Sequence, residues 1–351
     1  MRKTLIIIGN GFDLAHGLKT SYSHFIEYLV EEHYKNGTFS DIFDFPSQEY
    51  NYDDFKEELI EQRMESIRLN YSYFNNSFIA TLLYANALEN WNDIESFYFE
   101  ELNKCKKNNT LDPKQLNDNF DIVKKHLSNY LLNEEKECKK INGYEHFFSS
   151  LDLHSTLILN FNYTRTLKQH YANSIKNSQH IHIHGELENE ENPMIFGYAA
   201  THKESRELLA QNNVEYMKNI KKHLYKRTSN ENEFLKFLNT KNTKIDVLIL
   251  GHSCGLSDNL ILNEIFNHQN IDSIRIFFHG DDKHYFELQV NIDRIMANDK
   301  QFKKLIPFKK DCFMLQHDDG EINQEKFVDF GKKLRTIISK DNIDIASYFP
   351  H

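Results

Sequence analysis

The chain has 351 residues, a net charge of −10, and hydrophobic and charged fractions of 40% and 27%, the balance of a globular protein able to bury one or two cores. The acidic balance argues against nucleic acid as a partner, and no apolar run approaches membrane-spanning length. Cys105, Cys138, Cys254 and Cys312 form neither a C-x-x-C zinc knuckle nor a disulfide framework, and Met1-Arg2-Lys3 runs into a strand without a cleavage pattern, so a cytoplasmic location is expected.

The first element is the one around which the chain is organised. Leu5 to Ile8 is an apolar, β-branched run too short for a helix, and it stops at Gly9-Asn10-Gly11, a strand entering a tight turn. Ser21, Tyr22, Phe25, Ile26, Tyr28 and Leu29 then recur at helical spacing, so the turn delivers the chain towards a helix. A crevice at the carboxyl end of such a strand suits phosphate groups. Glycine lets the backbone approach closely, and helix N-termini favour negative charge. A glycine turn without any ligand fits the same residues.

From Glu27 to about Ser150 the pattern changes. Phe55, Leu59, Ile60, Met64 and Ile67, and then Phe78, Leu82, Leu83, Ala87 and Leu88, fall at three- and four-residue spacing, as do Phe120, Val123, Leu127 and Leu131. Residues Asp41 to Asp54 read as an irregular connection. Trp91-Asn92-Asp93-Ile94-Glu95 reads as a helix start, capped by Asn92 or Asp93, with Glu95 in the first turn. The expected organisation is an α/β core of residues 1–30 and 151–351, with a helical insertion over 31–150.

Strand character returns at Thr156–Leu159, which runs into Asn160-Phe161-Asn162-Tyr163-Thr164 and a helix through Leu167 and Tyr171. His180 to His184 alternates with a period of two, placing three histidines on one face, and Met194–Tyr198 is expected to add a short strand. The region His202–Leu238, with Lys218, Lys221, Lys222, Lys226 and Arg227, reads as a solvated helix face. Asp246–Leu250 ends in Gly251-His252-Ser253, and Ile274–Phe278 ends in His279-Gly280-Asp281-Asp282. Repeated strand-turn-helix order predicts a doubly wound parallel sheet whose turns converge on one edge.

These motifs carry a resemblance. Gly9 to Tyr22, Leu159 to Leu167, His182 to Leu187 and Gly251 to Asp258 together resemble the bacterial abortive-infection AbiH family, a phage-defence group. Their order is similar to the wider sirtuin-like superfamily. Gly9, Gly11, Gly17, Leu18, Asn162, Tyr163, His184, Gly185, Gly251 and Ser253 match its pattern, while Asn10, Asp13 and Thr164 stand where that pattern has Ala, Ser and Asp, and its zinc module is absent. The resemblance implies a Rossmann-like, sirtuin-like sheet, an NAD-hydrolysing effector cleaving the nicotinamide–ribose bond, a phage-derived trigger and no metal. An oligomer is compatible with these features.

Cleaving that bond requires a pyrophosphate site, stabilisation of an oxocarbenium-like ribose, and a base. Gly9, Asn10, Gly11, Phe12 and Asp13, with Gly251, His252, Ser253 and Asp281, are the candidate binding residues. Asn162 can hold a ribose hydroxyl or the attacking water, and His184, with a reference pKa of about 6.5, suits general base work. Each also has a structural reading: Asp13 as a cap of the following helix, Asn162 as a turn residue, His184 as a hydrogen-bonded strand end. Two other classes remain open. One is a metal-dependent hydrolase or nuclease using His180, His182 and His184 with His252 or Asp281, although alternating histidines span about 13 Å along a strand. The other is a nucleotide-sensing module without catalysis.

Overall fold

The computed structural model describes residues 1–44, 74–88, 94–108, 112–279 and 282–306. The expected helical run Phe55–Ile67, the helix-start residues Trp91, Asn92 and Asp93, and the strand-end residue Asp281 lie outside the described residues.

Five strands form an all-parallel sheet: β1 (Arg2–Ile8), β2 (Thr156–Asn160), β3 (Gln179–His182), β4 (Lys244–Leu250) and β5 (Ile271–Phe277), in the order β3-β2-β1-β4-β5. The chain runs outward from β1 through β2 to β3, then returns to lay β4 against the other side of β1. The order therefore reverses at β1, and the crevice outside the carboxyl ends of β1 and its neighbours is where ligands bind in open sheets of this kind. Register aligns those ends: Ile8 pairs with Asn160 and with Leu250, Asn160 pairs with His182, and Leu250 pairs with Phe277.

Continuous apolar runs follow from burial on both faces of the sheet. Ile6, Ile8, Ile158, Leu248 and Leu250 meet Phe12, Tyr144, Phe147, Phe148, Leu167 and Tyr171 in one core cluster. Leu5, Ile7, Leu157, Leu159, Val247 and Ile249 alternate with them and are also fully buried. At the amino ends, Arg2 forks onto Asp246 at 2.6 and 2.8 Å and reaches Asp272 at 2.9 Å, tying β1, β4 and β5 together at the edge opposite the turns.

The described chain divides into two compact units. The first comprises Met1–Leu18, Glu134–Ile195 and Tyr225–His351 and contains the sheet. The second comprises Lys19–Asn133 and Phe196–Leu224. It is built from helices that include Tyr22–Asn36, Ser77–Leu88, Ile94–Asn108 and His202–Leu209, and among its described residues the only β pairings are the isolated bridges Phe43–Phe74 and Tyr198–Ile220. Ser21 caps the first of these helices by accepting the His24 N–H, and Gly37 ends it in the left-handed region. Tyr98, Phe120 and Phe196 stack in its core, with ring centroids 4.2 and 4.8 Å apart. Among the described residues no helix is long and apolar enough to cross a membrane.

Three local expectations are corrected. Met194–Tyr198 adds no sheet strand: Gly197 N–H donates to the Glu95 carboxylate, and Tyr198 exchanges backbone hydrogen bonds with Asn219 and Lys221. Lys221 does not belong to a solvated face. It is fully buried, with its ammonium 2.8 Å from Glu95 Oε2. Strand β3 stops at His182, because the turn through Gly185, held at φ 84° with Pro193 O crowding its missing Cβ, takes His184 off the ladder.

Candidate functional site

The parallel ladder continues past the strand ends and brings two turns into backbone contact. Gly9 N–H donates to Leu250 O at 3.1 Å and Gly11 N–H to Gly251 O at 2.7 Å. A Cβ on Gly9 would lie 2.6 Å from His252 Cα, one on Gly11 would lie 2.8 Å from Gly251 Cα, and Gly251 itself sits at φ 63° against Phe12 N. These glycines thus let the β1 and β4 turns interpenetrate. The turn after β1 is itself helical: α1 (Asn10–Ala15) starts immediately after Gly9, before the helix expected from Ser21 onward.

The residues of α1 point in different directions. Asn10 is exposed, whereas Phe12 enters the core, edge-on to Tyr144 with centroids 4.9 Å apart. Asp13 does not cap a helix. Its Oδ2 accepts from Thr164 Oγ1 at 2.6 Å, its Oδ1 is buried with no hydrogen-bond partner, and burial raises its pKa to about 6 against the lowering effect of the neighbouring Thr164, Thr166 and Asn162 side chains.

Past β2 the chain makes an Asx-type turn. Asn160 Oδ1 accepts the Asn162 N–H at 3.0 Å, and Asn162 Nδ2 crosses to donate to Gly9 O at 3.0 Å. Asn162 O meets His182 Nδ1 at 3.0 Å. The carboxyl ends of β1, β2 and β3 are therefore linked by one asparagine.

His184 is 4% exposed and sits between aromatic rings, edge-on to Phe161 at 5.0 Å and stacked on Tyr225 at 6.1 Å. Its Nε2 lies 3.0 Å from the Tyr225 hydroxyl and 3.1 Å from Asp258 Oδ1. His252 is also edge-on to Phe161, at 4.4 Å; it places Nε2 3.4 Å from Asp258 Oδ2 and accepts the Cys254 N–H on Nδ1 at 2.9 Å. Asp258 thus joins His184, from the β3 turn, to His252, from the β4 turn. Ser253 faces solvent, and its carbonyl accepts from Asn291 at 3.0 Å.

His180 and His182 form a different environment. Their rings lie 4.7 Å apart, and burial lowers both pKa values, that of His180 well below its ordinary value. His182 Nε2 is 3.9 Å from Glu186, which is paired with Lys168 at 2.6 Å. Among the described residues no trio of His, Cys, Asp or Glu side chains is gathered for a metal ion.

Asp258 and Tyr225 were not among the residues chosen from the sequence. Asp258 stands at the end of the Gly251–Asp258 motif, but linear spacing gives no sign that it reaches a histidine 74 positions earlier. Tyr225 lies in a lysine-rich stretch and carries no motif at all.

A comparison with curated proteins gives no match. The family model for bacteriophage abortive infection AbiH matches residues 5–279, a span running from within β1 past the end of β5 and including Gly9, Gly11, Asp13, Asn162, His184, Gly251, His252 and Asp258. The chain belongs to the bacteriophage abortive infection AbiH family.

Proposed function

We propose that this protein defends its host against phage by binding NAD at the carboxyl ends of β1, β2 and β4 and hydrolysing the nicotinamide–ribose bond. Family membership supports the defence role. The observation that carries the chemistry is the pairing of buried His184 with Asp258 beside the point where strand order reverses. A carboxylate next to an imidazole favours its protonated form and strengthens it as a base.

In this reading water attacks the ribose C1′ and gives its proton to His184, the N-glycosidic bond breaks, and nicotinamide leaves as a neutral molecule. Asn162 holds the attacking water or a ribose hydroxyl. The Oδ1 of Asp13, buried without a partner, offers a hydroxyl an acceptor. NAD is then substrate rather than resident cofactor, and no step calls for a metal.

The test is incubation of purified protein with NAD, with and without lysate of phage-infected cells, following nicotinamide and ADP-ribose by chromatography. Release of both in equal amounts supports the reading. Binding of NAD without turnover under either condition would leave a nucleotide sensor instead.

A further inference from the structure

We infer that Asp258 is a positioning residue that fixes His184 in the tautomer carrying its proton on Nε2, leaving Nδ1 as the nitrogen that accepts a proton. The inference deepens the reading of His184 as a base and rests on it for the catalytic consequence alone. The tautomer itself is a property of the folded protein, whatever the substrate.

A backbone N–H can only donate, so the Cys254 N–H makes His252 Nδ1 an acceptor, and a neutral His252 must carry its proton on Nε2. That nitrogen points at Asp258 Oδ2, 3.4 Å away. The turn that makes this possible is unusual. Cys254 holds φ at 54°, in the left-handed region that non-glycine residues rarely occupy, three residues after Gly251 at φ 63°.

An ionised carboxylate is acceptor-only. With Oδ2 turned to His252, Oδ1 faces His184 Nε2 at 3.1 Å, so that nitrogen is a donor as well. The Tyr225 hydroxyl, 3.0 Å from the same nitrogen, could donate to it only if the bare Nε2 lone pair then faced the Asp258 oxygen at 3.1 Å, so the favoured arrangement keeps the proton on Nε2. Among the described residues, the titratable groups set against His184 include Asp258 and Tyr225, with His252 reached through the shared carboxylate, and the Phe161 and Tyr163 rings lie beside it. Asp258 is 14% exposed at its side chain and both imidazoles are nearly fully buried, so the interactions are weakly screened. A single carboxylate thereby sets two histidines from two different turns.

Long-range proton–nitrogen NMR of 15N-histidine-labelled full-length protein reads the tautomer directly and needs no substrate. The expected spectrum has neutral His184 and His252 both protonated on Nε2. Asp258→Asn, which replaces an acceptor-only carboxylate by an amide able to donate to Nε2, should raise the share of His184 protonated on Nδ1. If the protein turns over NAD, the same variant should lose roughly 100- to 10,000-fold in kcat with the low-pH limb of the profile displaced, as expected for a histidine left in the wrong tautomer. Tyr225→Phe, which keeps the carboxylate, should leave the tautomer unchanged and lose less activity. A wild-type His184 protonated on Nδ1 would overturn the inference without recourse to any variant. So would an Asp258→Asn protein in which His184 stays protonated on Nε2 as fully as in the wild type. Absence of NAD cleavage by the wild type would reject the proposed reaction and leave the tautomer result standing.

Discussion

Nδ2 of Asn162 donates to the carbonyl oxygen of Gly9 across 3.0 Å, joining the turn after β2 to the turn after β1. The amide therefore has a structural duty in addition to the catalytic one proposed for it. Asn162→Ala leaves a buried carbonyl without that donor and should cost about 1–2 kcal/mol, visible as a lower denaturation midpoint. Asn162→Asp should cost more, because a carboxylate oxygen would then face the carbonyl oxygen. Equal stability of the Asp variant and wild type at neutral pH would contradict this arrangement.

The glycines of the two turns separate two effects. Gly251→Ala requires a left-handed alanine, at about 1–2 kcal/mol, and also drives a Cβ to within 2.5 Å of Phe12 N. Gly17→Ala requires the left-handed conformation alone, since nothing lies within 4 Å of a Cβ there. Urea unfolding should rank Gly251→Ala as clearly the more damaging. From the sequence, Gly11 was expected to lie against a phosphate; in the structure a side chain at Gly11 meets the backbone of Gly251 first, so Gly11→Val should impair folding as well as binding.

The parallel sheet was legible because its strands are short β-branched runs ended by Gly or Asn, as in Leu5–Ile8 and Asp246–Leu250, and burial on both faces leaves no competing period. Turn residues that close strands were equally visible. What could not be read were pairings made by contact between distant parts of the chain. Lys221 looks like one of several surface lysines until Glu95, 126 positions away, is found against it. Asp258 belongs to a recognisable motif, yet its link to His184 depends on how two turns fold over Phe161. The acceptor for Gly197 N–H is a side chain on another helix, which is why an apolar run at Met194–Tyr198 does not become a strand.

Glu95 and Lys221 give a stability prediction within the helical unit. Removing one partner of a buried pair strands the other charge, so Lys221→Met should cost about 3–5 kcal/mol. The double variant Glu95→Gln, Lys221→Met removes both charges and keeps an acceptor for Gly197 N–H, and it should recover most of that loss. A double variant no more stable than Lys221→Met alone would show that the charges are not coupled.

Asp13 and His16 make opposite contributions to acid stability. Asp13 is raised from 3.8 to about 6 by burial, so the folded state holds its proton more tightly and stability falls as pH rises through that interval. His16 is lowered from 6.5 to about 4 by burial, so stability falls as pH drops from about 6.5 towards 4. Asp13→Asn should therefore stabilise the protein at pH 7 relative to pH 4 when compared with wild type, by up to roughly 3 kcal/mol. Guanidinium unfolding at both pH values measures the difference; a change of opposite sign would show that Asp13 is ionised at no cost in the fold.

The last prediction separates the histidines that the sequence placed together. His184 lies beyond the end of β3, with its Nε2 on Asp258 and Tyr225, whereas His180 lies on the strand beside His182, its Nε2 buried and without a partner. If His184 is the base for NAD hydrolysis, His184→Ala should fold, bind the nucleotide and lose about 100- to 10,000-fold in nicotinamide release, and cells carrying it should lose protection from phage. His180→Ala should lower activity less, because its position two residues before the carboxyl end of the strand removes it from the turns that meet at Asp258. Some cost in stability is expected from either change through the loss of buried ring contacts, so circular dichroism and unfolding midpoints must accompany the rates. A folded His184→Ala protein that cleaves NAD at the wild-type rate would remove His184 from the chemistry. A His180→Ala protein that folds normally yet loses turnover as completely as His184→Ala would place the reacting centre back along β3, on the histidine face first read from the sequence.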